Sequence, residues 1–215
     1  MRLYYWMTCP FACKVLAAIE EIGIKDSIEL IPMHPWEKSS QLSHLNPLKQ
    51  IPVLEIEDGF CIGDSPVIVE YIDTLHQGTR LIPPGGMERW KALKLQALAD
   101  GIMEAAVLRV LEEHARHELH RSDPWIQRQN IKLIQSLDYL EKEVSNFNNK
   151  INIGTLSVAI ALSYLNLRFS HENWAEKRQD LGRWFKKISA RPSIKETHPR
   201  EKHSLPEPHL MEHLG

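Results

Sequence analysis

The segment Thr8-Cys9-Pro10-Phe11-Ala12-Cys13 carries the residue types best suited to thiol chemistry. Apolar residues 3–6 before it indicate a β-strand, and apolar residues recur at helical spacing over residues 14–22. Cys9 is therefore predicted at a strand-to-helix turn, with Pro10 at the first helical position. Unpaired backbone N–H groups and the helix dipole favour a thiolate there, so we expect the pKa of Cys9 to lie below its ordinary value. The alternative is that Cys9 is a small structural side chain.

Cys13 lies one helical turn beyond Cys9 and is a poor partner for an internal disulfide. Residues four apart in a helix are about 6 Å apart at Cβ, whereas a disulfide needs roughly 3.5–4.5 Å. Cys9 is thus predicted to act as a single thiol, and Cys13 and Cys61 are expected to have ordinary pKa values. Thr8 is the rival residue, because its hydroxyl can donate a hydrogen bond to a sulfur atom.

Composition and charge exclude several classes of protein. The chain has 215 residues, 43% hydrophobic and 25% charged, which is ordinary for one or two globular domains. A net charge of −2 gives no basic field to attract nucleic acid or an anionic membrane. Three cysteines form no disulfide framework, and no apolar run reaches the roughly 18 residues needed to cross a bilayer. We therefore expect a cytoplasmic protein without nucleic-acid or membrane partners.

The elements that must position the thiol follow the order β-α-β-α-β-β-α. Strands are predicted at residues 3–6, 27–31, 53–56 and 60–62, and helices at 14–22, 39–45 and 65–75. Gly23 is well placed to end the first helix, and Ser65 is expected to cap the third. Strand-helix crossovers followed by a hairpin predict an α/β layer.

Two further sites along this layer are suited to binding an extended ligand. Ile51-Pro52 precedes the third strand, where a cis peptide bond is cheapest, and we expect the backbone of Ile51 to be free to pair with a ligand. Ser65 and the N–H groups at the start of the third helix can bind an anion, and Asp64 beside them can hold an ammonium. The alternative for Asp64-Ser65 is a helix cap without a ligand.

The combination of Cys9-Pro10-Phe11, Gln50-Ile51-Pro52-Val53-Leu54 and Asp64-Ser65 resembles the thioredoxin-like domain of the glutathione S-transferase superfamily. The resemblance implies that glutathione is the co-substrate and that the protein is a homodimer. It implies that the Ile51 backbone pairs with the cysteinyl part of glutathione and that Asp64 and Ser65 bind the γ-glutamyl group. The glutathione-binding residues implied are Phe11, Gln50, Ile51, Pro52, Asp64 and Ser65.

The Cys-Pro-Phe motif is similar to omega-like and glutaredoxin-like members, in which the cysteine forms a mixed disulfide with glutathione. This resemblance implies a glutathione transferase with Cys9 as the catalytic residue, acting in thiol transfer, deglutathionylation or conjugation to an electrophile, with a role in detoxification. A second glutathione would release the mixed disulfide. The alternative is a binding or regulatory module that keeps the fold without enzymatic activity. Lys49-Gln50 departs from the family pattern, since close relatives have Gly-Lys.

A cluster of Gly and Pro after residue 76 predicts a domain boundary. We predict a thioredoxin-like domain over residues 1–78, a linker over 79–86, an all-helical domain over 87–200 and a polar tail over 201–215. Helices are predicted at residues 87–114, 122–144, 153–167 and 179–189, the third of them nearly uncharged and therefore central. The second substrate, a small electrophile or disulfide, is expected in the cleft between the domains, lined by Met7, Phe11, Met103 and Val107.

Two local patterns in the helical part carry further predictions. Asn152 is expected to cap the central helix, but Thr155 lacks the carboxylate of a capping box, so a weakened box is predicted. His114, His117 and His120 invite a metal site, yet no nearby cysteine completes a zinc pattern. Metal sites need three or four converging ligands, so a solvated helix end without metal is predicted.

Overall fold

The first part of the fold is a four-stranded sheet with the strand order β2-β1-β3-β4. The computed structural model describes residues 1–36, 41–147 and 151–201. The strands are β1 Arg2–Tyr5, β2 Glu29–Pro32, β3 Val53–Glu55 and β4 Cys61–Ile62. β2 runs parallel to β1, whereas β3 is antiparallel to both β1 and β4. The predicted α/β layer that ends in a hairpin is confirmed.

Three helices accompany the sheet: α1 Pro10–Ile22, α2 Gln41–Leu45 and α3 Ser65–Ile72. Helix α1 begins at a proline and ends at Gly23, whose φ of 73° is the left-handed conformation that glycine adopts without strain. The predicted start of the second helix at residue 39 lies outside the described residues. The expected cap of α3 is wrong, because Asp64 is the N-cap and its carboxylate accepts the N–H of Ser65.

The second part of the fold is helical. Its helices are α4 Gly86–Val110, α5 Asp123–Glu143, α6 Ile153–Arg168, α7 Gln179–Ile188 and α8 Pro192–Thr197. The nearly uncharged α6 is buried continuously from its first residue to Leu165, as predicted for the central helix. The first predicted helix of this part is shorter than expected, since α4 gives way after Val110 to a π-helical turn, Leu111–Ala115. No helix in the described ranges is long and apolar enough to cross a bilayer.

Helix α8 is an element that the sequence did not predict. Pro192 occupies its first turn, where the missing N–H costs nothing, instead of only ending the helix before it. The Nε and Nη2 atoms of Arg191 each lie 2.8 Å from a carboxylate oxygen of Glu21 in α1. This forked ion pair holds α8 against α1, and it joins residues that are far apart in sequence.

The predicted weakness of the α6 capping box is wrong. Asn152 Oδ1 accepts the N–H of Thr155 at 3.0 Å, and Thr155 Oγ1 accepts the N–H of Asn152 at 3.1 Å. The position three residues after the cap needs an oxygen acceptor within reach, and the Thr155 hydroxyl supplies one, so the box is complete.

Gly154 lies where α6 approaches α4 most closely, and its replacement should be costly. A Cβ atom at this position would lie 2.6 Å from the carbonyl oxygen of Ala92 and 2.8 Å from Leu95 Cβ. We expect Gly154→Ala to lower the free energy of unfolding by about 1–3 kcal/mol because the two helices must separate. Denaturant unfolding measures the change.

Gly101→Ala is the matched control for Gly154→Ala, since a Cβ there meets no atom within 4 Å. Alanine is favoured over glycine in a helix by roughly 0.5–1 kcal/mol, so this variant should be slightly more stable than the parent chain. Equal unfolding midpoints for the two variants would contradict the close approach of α4 and α6.

Candidate active site

Cys9 lies between β1 and α1, at the position that its sequence context predicts. It is the N-cap of α1, with Pro10 as the next residue, and its φ of −79° and ψ of 114° are extended. Its N–H donates to the carbonyl of Trp6 at 3.0 Å, and its own carbonyl accepts the N–H of Cys13 at 3.0 Å. The turn that carries the thiol is therefore fixed by backbone hydrogen bonds on both sides.

The thiol of Cys9 is half-buried. Burial raises its pKa to about 11, although the backbone N–H groups of Ala12 and Phe11 act in the opposite direction. Its Sγ donates to the carbonyl oxygen of Ile51 across 3.7 Å, a hydrogen bond that only the thiol form can make. The expected lowering of the Cys9 pKa is wrong, because the loss of solvation outweighs the helix N–H groups.

The other two cysteines are also free thiols with raised pKa values. Cys13 is fully buried and donates to the carbonyl of Met7 at 3.4 Å, and burial raises its pKa well above the ordinary value. Burial and then the nearby Glu55 raise the pKa of Cys61. The expectation of ordinary pKa values for Cys13 and Cys61 is therefore wrong. The hydrogen bond to Met7 ties the Cys13 thiol to the turn that carries Cys9.

The structure brings Ile51 to Cys9 from 42 residues away in sequence. The Ile51-Pro52 bond is cis, as predicted, and Ile51 is buried in a small apolar cluster against which Cys9 packs. Gln50 is exposed, and its carbonyl accepts a hydrogen bond from Asn46 Nδ2 at 2.9 Å. Lys49 has a φ of 52°, a left-handed conformation that glycine adopts more readily than lysine.

Asp64 and Ser65 lie together at the start of α3. Asp64 is exposed, whereas Ser65 is buried with no exposed surface. The Ser65 hydroxyl has no hydrogen-bond partner among the described residues. A buried polar group without a protein partner is rare, which makes Ser65 a candidate for a functional role.

The four residues predicted to line a second-substrate pocket belong to one apolar cluster. Met103 has no exposed surface and Met7 is buried, so both are core side chains. Phe11 and Val107 are half-buried at the edge of the same cluster. Of the four predicted residues, these two therefore offer the most surface to a substrate.

Sequence reasoning missed three charged or polar side chains on α1, α4 and α6. Lys14 in α1 is fully buried and its Nζ lies 2.7 Å from Asp100 Oδ1 in α4. Tyr164 in α6 is buried, which raises its pKa to about 12, and Cys9 and Cys13 contribute in the same direction. The sequence signal was a lone lysine inside the apolar run of α1 and a lone phenol in an almost uncharged α6.

The histidines considered as metal ligands make local contacts instead. The rings of His117 and His120 are 5.7 Å apart, and His117 Nδ1 accepts the N–H of Leu119 at 3.3 Å. In the part of the chain that the structure describes, no group of three or more His, Cys, Asp or Glu side chains is arranged to hold a metal ion.

Comparison with known proteins relates this site to one family. Residues 8–75 match the family described as "Glutathione S-transferase, N-terminal domain". The GST-like protein YibF of Escherichia coli K12 is 34% identical over 202 residues, covering 93% of this chain and 98% of that protein. The similarity therefore spans both the sheet and the helical part.

Solved structures agree over the same extent. A glutathione transferase family member from Pseudomonas fluorescens Pf-5 with bound glutathione is 34% identical, with a TM-score of 0.90 over 93% of this chain and 99% of that one. A glutathione S-transferase from Methylobacillus flagellatus KT with bound glutathione is 30% identical, with a TM-score of 0.87 and coverage of 93% and 99%. The chain described here thus belongs to the glutathione S-transferase family.

Proposed function

We propose that this protein is a glutathione-dependent transferase in which Cys9 is the catalytic residue. The observation that carries the proposal is the convergence of the Cys9 thiol on the carbonyl of Ile51, 3.7 Å away, beside a helix start that holds Asp64 and an unpaired Ser65 hydroxyl. Two similar solved structures contain bound glutathione, which supports the same proposal.

Glutathione offers a partner for each of these groups. Its γ-glutamyl carboxylate accepts from the Ser65 hydroxyl and from the N–H groups at the start of α3, while its ammonium pairs with Asp64. Its cysteinyl amide pairs with the backbone of Ile51, which directs the ligand sulfur toward Cys9. Phe11, Gln50 and Pro52 complete the proposed binding surface.

Binding of this kind would also activate Cys9. The Cys9 thiol donates to the Ile51 carbonyl across 3.7 Å. A ligand N–H that donates to this carbonyl oxygen replaces the Cys9 thiol as its hydrogen-bond donor. The N–H groups of Phe11 and Ala12 still favour the thiolate of Cys9. The pKa of Cys9 should then be lower with bound S-methylglutathione than without it, and the pH dependence of thiolate absorbance measures the difference.

The proposed thiol transfer proceeds in two displacement steps. The Cys9 thiolate attacks the glutathione sulfur of a mixed disulfide, the substrate S–S bond breaks, and the substrate leaves as a thiolate that takes up a proton. A second glutathione thiolate then attacks the Cys9-glutathione disulfide and leaves as oxidised glutathione, which restores Cys9. Cys13 takes no part in these steps, because its thiol is buried and donates a hydrogen bond to the carbonyl of Met7.

Conjugation is the second candidate reaction, and the protonated state of Cys9 favours it. A thiol with a pKa of about 11 can donate a hydrogen bond to a glutathione thiolate at neutral pH, as a hydroxyl would. An electrophile held near Phe11 and Val107 would then be attacked by the glutathione sulfur.

A glutathione titration followed by two turnover assays tests the proposed function. We expect saturable glutathione binding, and turnover with a glutathione mixed disulfide or with an aryl halide identifies the reaction. Binding without turnover on either substrate class would favour the non-enzymatic binding module. Absence of glutathione binding would contradict the proposal altogether.

We also propose that the protein is a cytoplasmic homodimer. Large apolar side chains are exposed on α3 and at the start of α4, namely Val67, Met87 and Trp90. An ion pair between Glu70 and Arg89 joins these two helices. Exposed apolar patches with a polar rim are typical of protein interfaces, and sedimentation should report about twice the chain mass of 24.9 kDa.

A further inference from the structure

The chain returns to the turn that carries Cys9 after its last helix. Beyond α8, the N–H of Arg200 donates to the carbonyl oxygen of Met7 at 3.1 Å. Met7 stands two residues before Cys9, in the turn between β1 and α1. A segment from the far end of the helical part therefore makes a backbone hydrogen bond to the turn that presents the thiol.

The Met7 carbonyl is the acceptor of two hydrogen bonds. It accepts the N–H of Arg200 and, at 3.4 Å, the Sγ of Cys13 in α1. On the other side of the turn, the N–H of Cys9 donates to the carbonyl of Trp6 at 3.0 Å. The turn is thus held from within by residues that are close in sequence and from outside by Arg200.

The residues on either side of Arg200 fasten this segment to the helical part. Pro199 is buried, and Glu201 Oε1 lies 2.5 Å from Nη1 of Arg168, the last residue of α6. The Arg168 side chain is only 8% exposed, and its guanidinium carbon lies 5.6 Å from the centroid of the Tyr164 ring. A buried guanidinium that loses its carboxylate is strongly unfavourable, so this pair should hold Glu201 in place.

We propose that residues 199–201, which we call the clamp, position the Cys9 turn for reaction. Arg200 and Glu201 act through the residues that they bind and are positioning residues. The inference goes beyond the proposed function and relies on it only for the catalytic role of Cys9. Because a displacement of about 1 Å can greatly slow a reaction between bound groups, a loosened turn should lower kcat.

Arg200→Pro tests the clamp directly, because proline lacks the N–H that Met7 accepts. The kcat of thiol transfer should fall by about threefold to tenfold. The dissociation constant for glutathione should stay within about twofold of the parent value, since the proposed contacts at Asp64 and Ser65 are unchanged. Arg200→Ala is the matched control, because it keeps the N–H and removes only an exposed side chain. It should have the parent kcat.

Labelling of Cys13 tests the clamp without glutathione or turnover. The Cys13 thiol is fully buried, so its modification by a thiol reagent, mapped by peptide mass, reports local opening around the turn. Arg200→Pro should label Cys13 about threefold to tenfold faster than the parent chain, a range that fits the loss of one hydrogen bond. Arg200→Ala should label it at the parent rate.

Glu201→Gln keeps the inference testable if thermal unfolding shows that Arg200→Pro does not fold. It removes the charge that pairs with Arg168 and keeps the length of the side chain, so it should also speed Cys13 labelling and lower kcat. Glu88→Gln is its matched control, because it breaks an exposed ion pair with Lys91 on α4. This control should match the parent chain in both measurements.

A folded Arg200→Pro variant with the parent kcat or the parent rate of Cys13 labelling would overturn the inference. If Arg200→Pro does not fold, the same result for Glu201→Gln would overturn it, and so would an Arg200→Ala variant as impaired as Arg200→Pro. The proposed function fails separately. If the parent chain shows no turnover, faster Cys13 labelling in Arg200→Pro would still support the clamp, while the proposed reaction would be removed.

Discussion

Replacing Cys9 with alanine is expected to reduce thiol-transfer turnover by about a thousandfold or more. The variant lacks the sulfur that must form the mixed disulfide, and removal of a nucleophile typically has effects of this size. Cys9→Ser should lose thiol transfer equally but retain or gain conjugation, since its hydroxyl can still donate to a glutathione thiolate. Steady-state rates with a glutathione mixed disulfide and with an aryl halide measure both effects.

Cys61→Ser is the control for this experiment, because Cys61 is a half-buried thiol on β4 outside the proposed site. Its turnover should equal that of the parent chain. Parent-level thiol transfer by Cys9→Ala would show that Cys9 is structural. The Thr8 hydroxyl would then become the leading candidate, and the enzyme would belong with the conjugating members of the family.

Removing the polar groups at the start of α3 should weaken glutathione binding by about 10- to 100-fold for each substitution. Asp64→Ala removes a charged partner of the ligand ammonium, and Ser65→Ala removes a donor to the ligand carboxylate. A hydrogen bond to a charged group typically contributes about 1.5–3 kcal/mol, which corresponds to this change in Kd. Calorimetric titration with glutathione measures the dissociation constants.

Stability distinguishes a binding role from a structural one at Ser65. Its hydroxyl is buried and has no partner among the residues that the structure describes, so Ser65→Ala should unfold at the same denaturant concentration as the parent chain or at a higher one. Asp58→Asn, in the exposed turn after β3, is the matched control for a lost surface carboxylate and should bind glutathione normally. Unchanged glutathione affinity in both site variants would contradict the assigned binding site.

Local sequence determined the order of elements and the position of the thiol. Apolar periodicity separates the sheet part from the helical part, and Pro10 and Gly23 define the two ends of α1. The nearly uncharged stretch of α6 likewise identified the central helix. These features depend on residues within one or two turns of one another, which is why the sequence alone predicts them.

Distant residues decided the chemistry around that thiol. The helix N–H groups that favour a thiolate are local and were foreseen, but the burial that raises the pKa of Cys9 comes from other elements, and the carbonyl of Ile51 lies 42 residues away. Lys14 meets Asp100 across 86 residues, and Arg191 meets Glu21 across 170. Desolvation and ion pairing are summed over neighbours in space, so only the tertiary structure determines them.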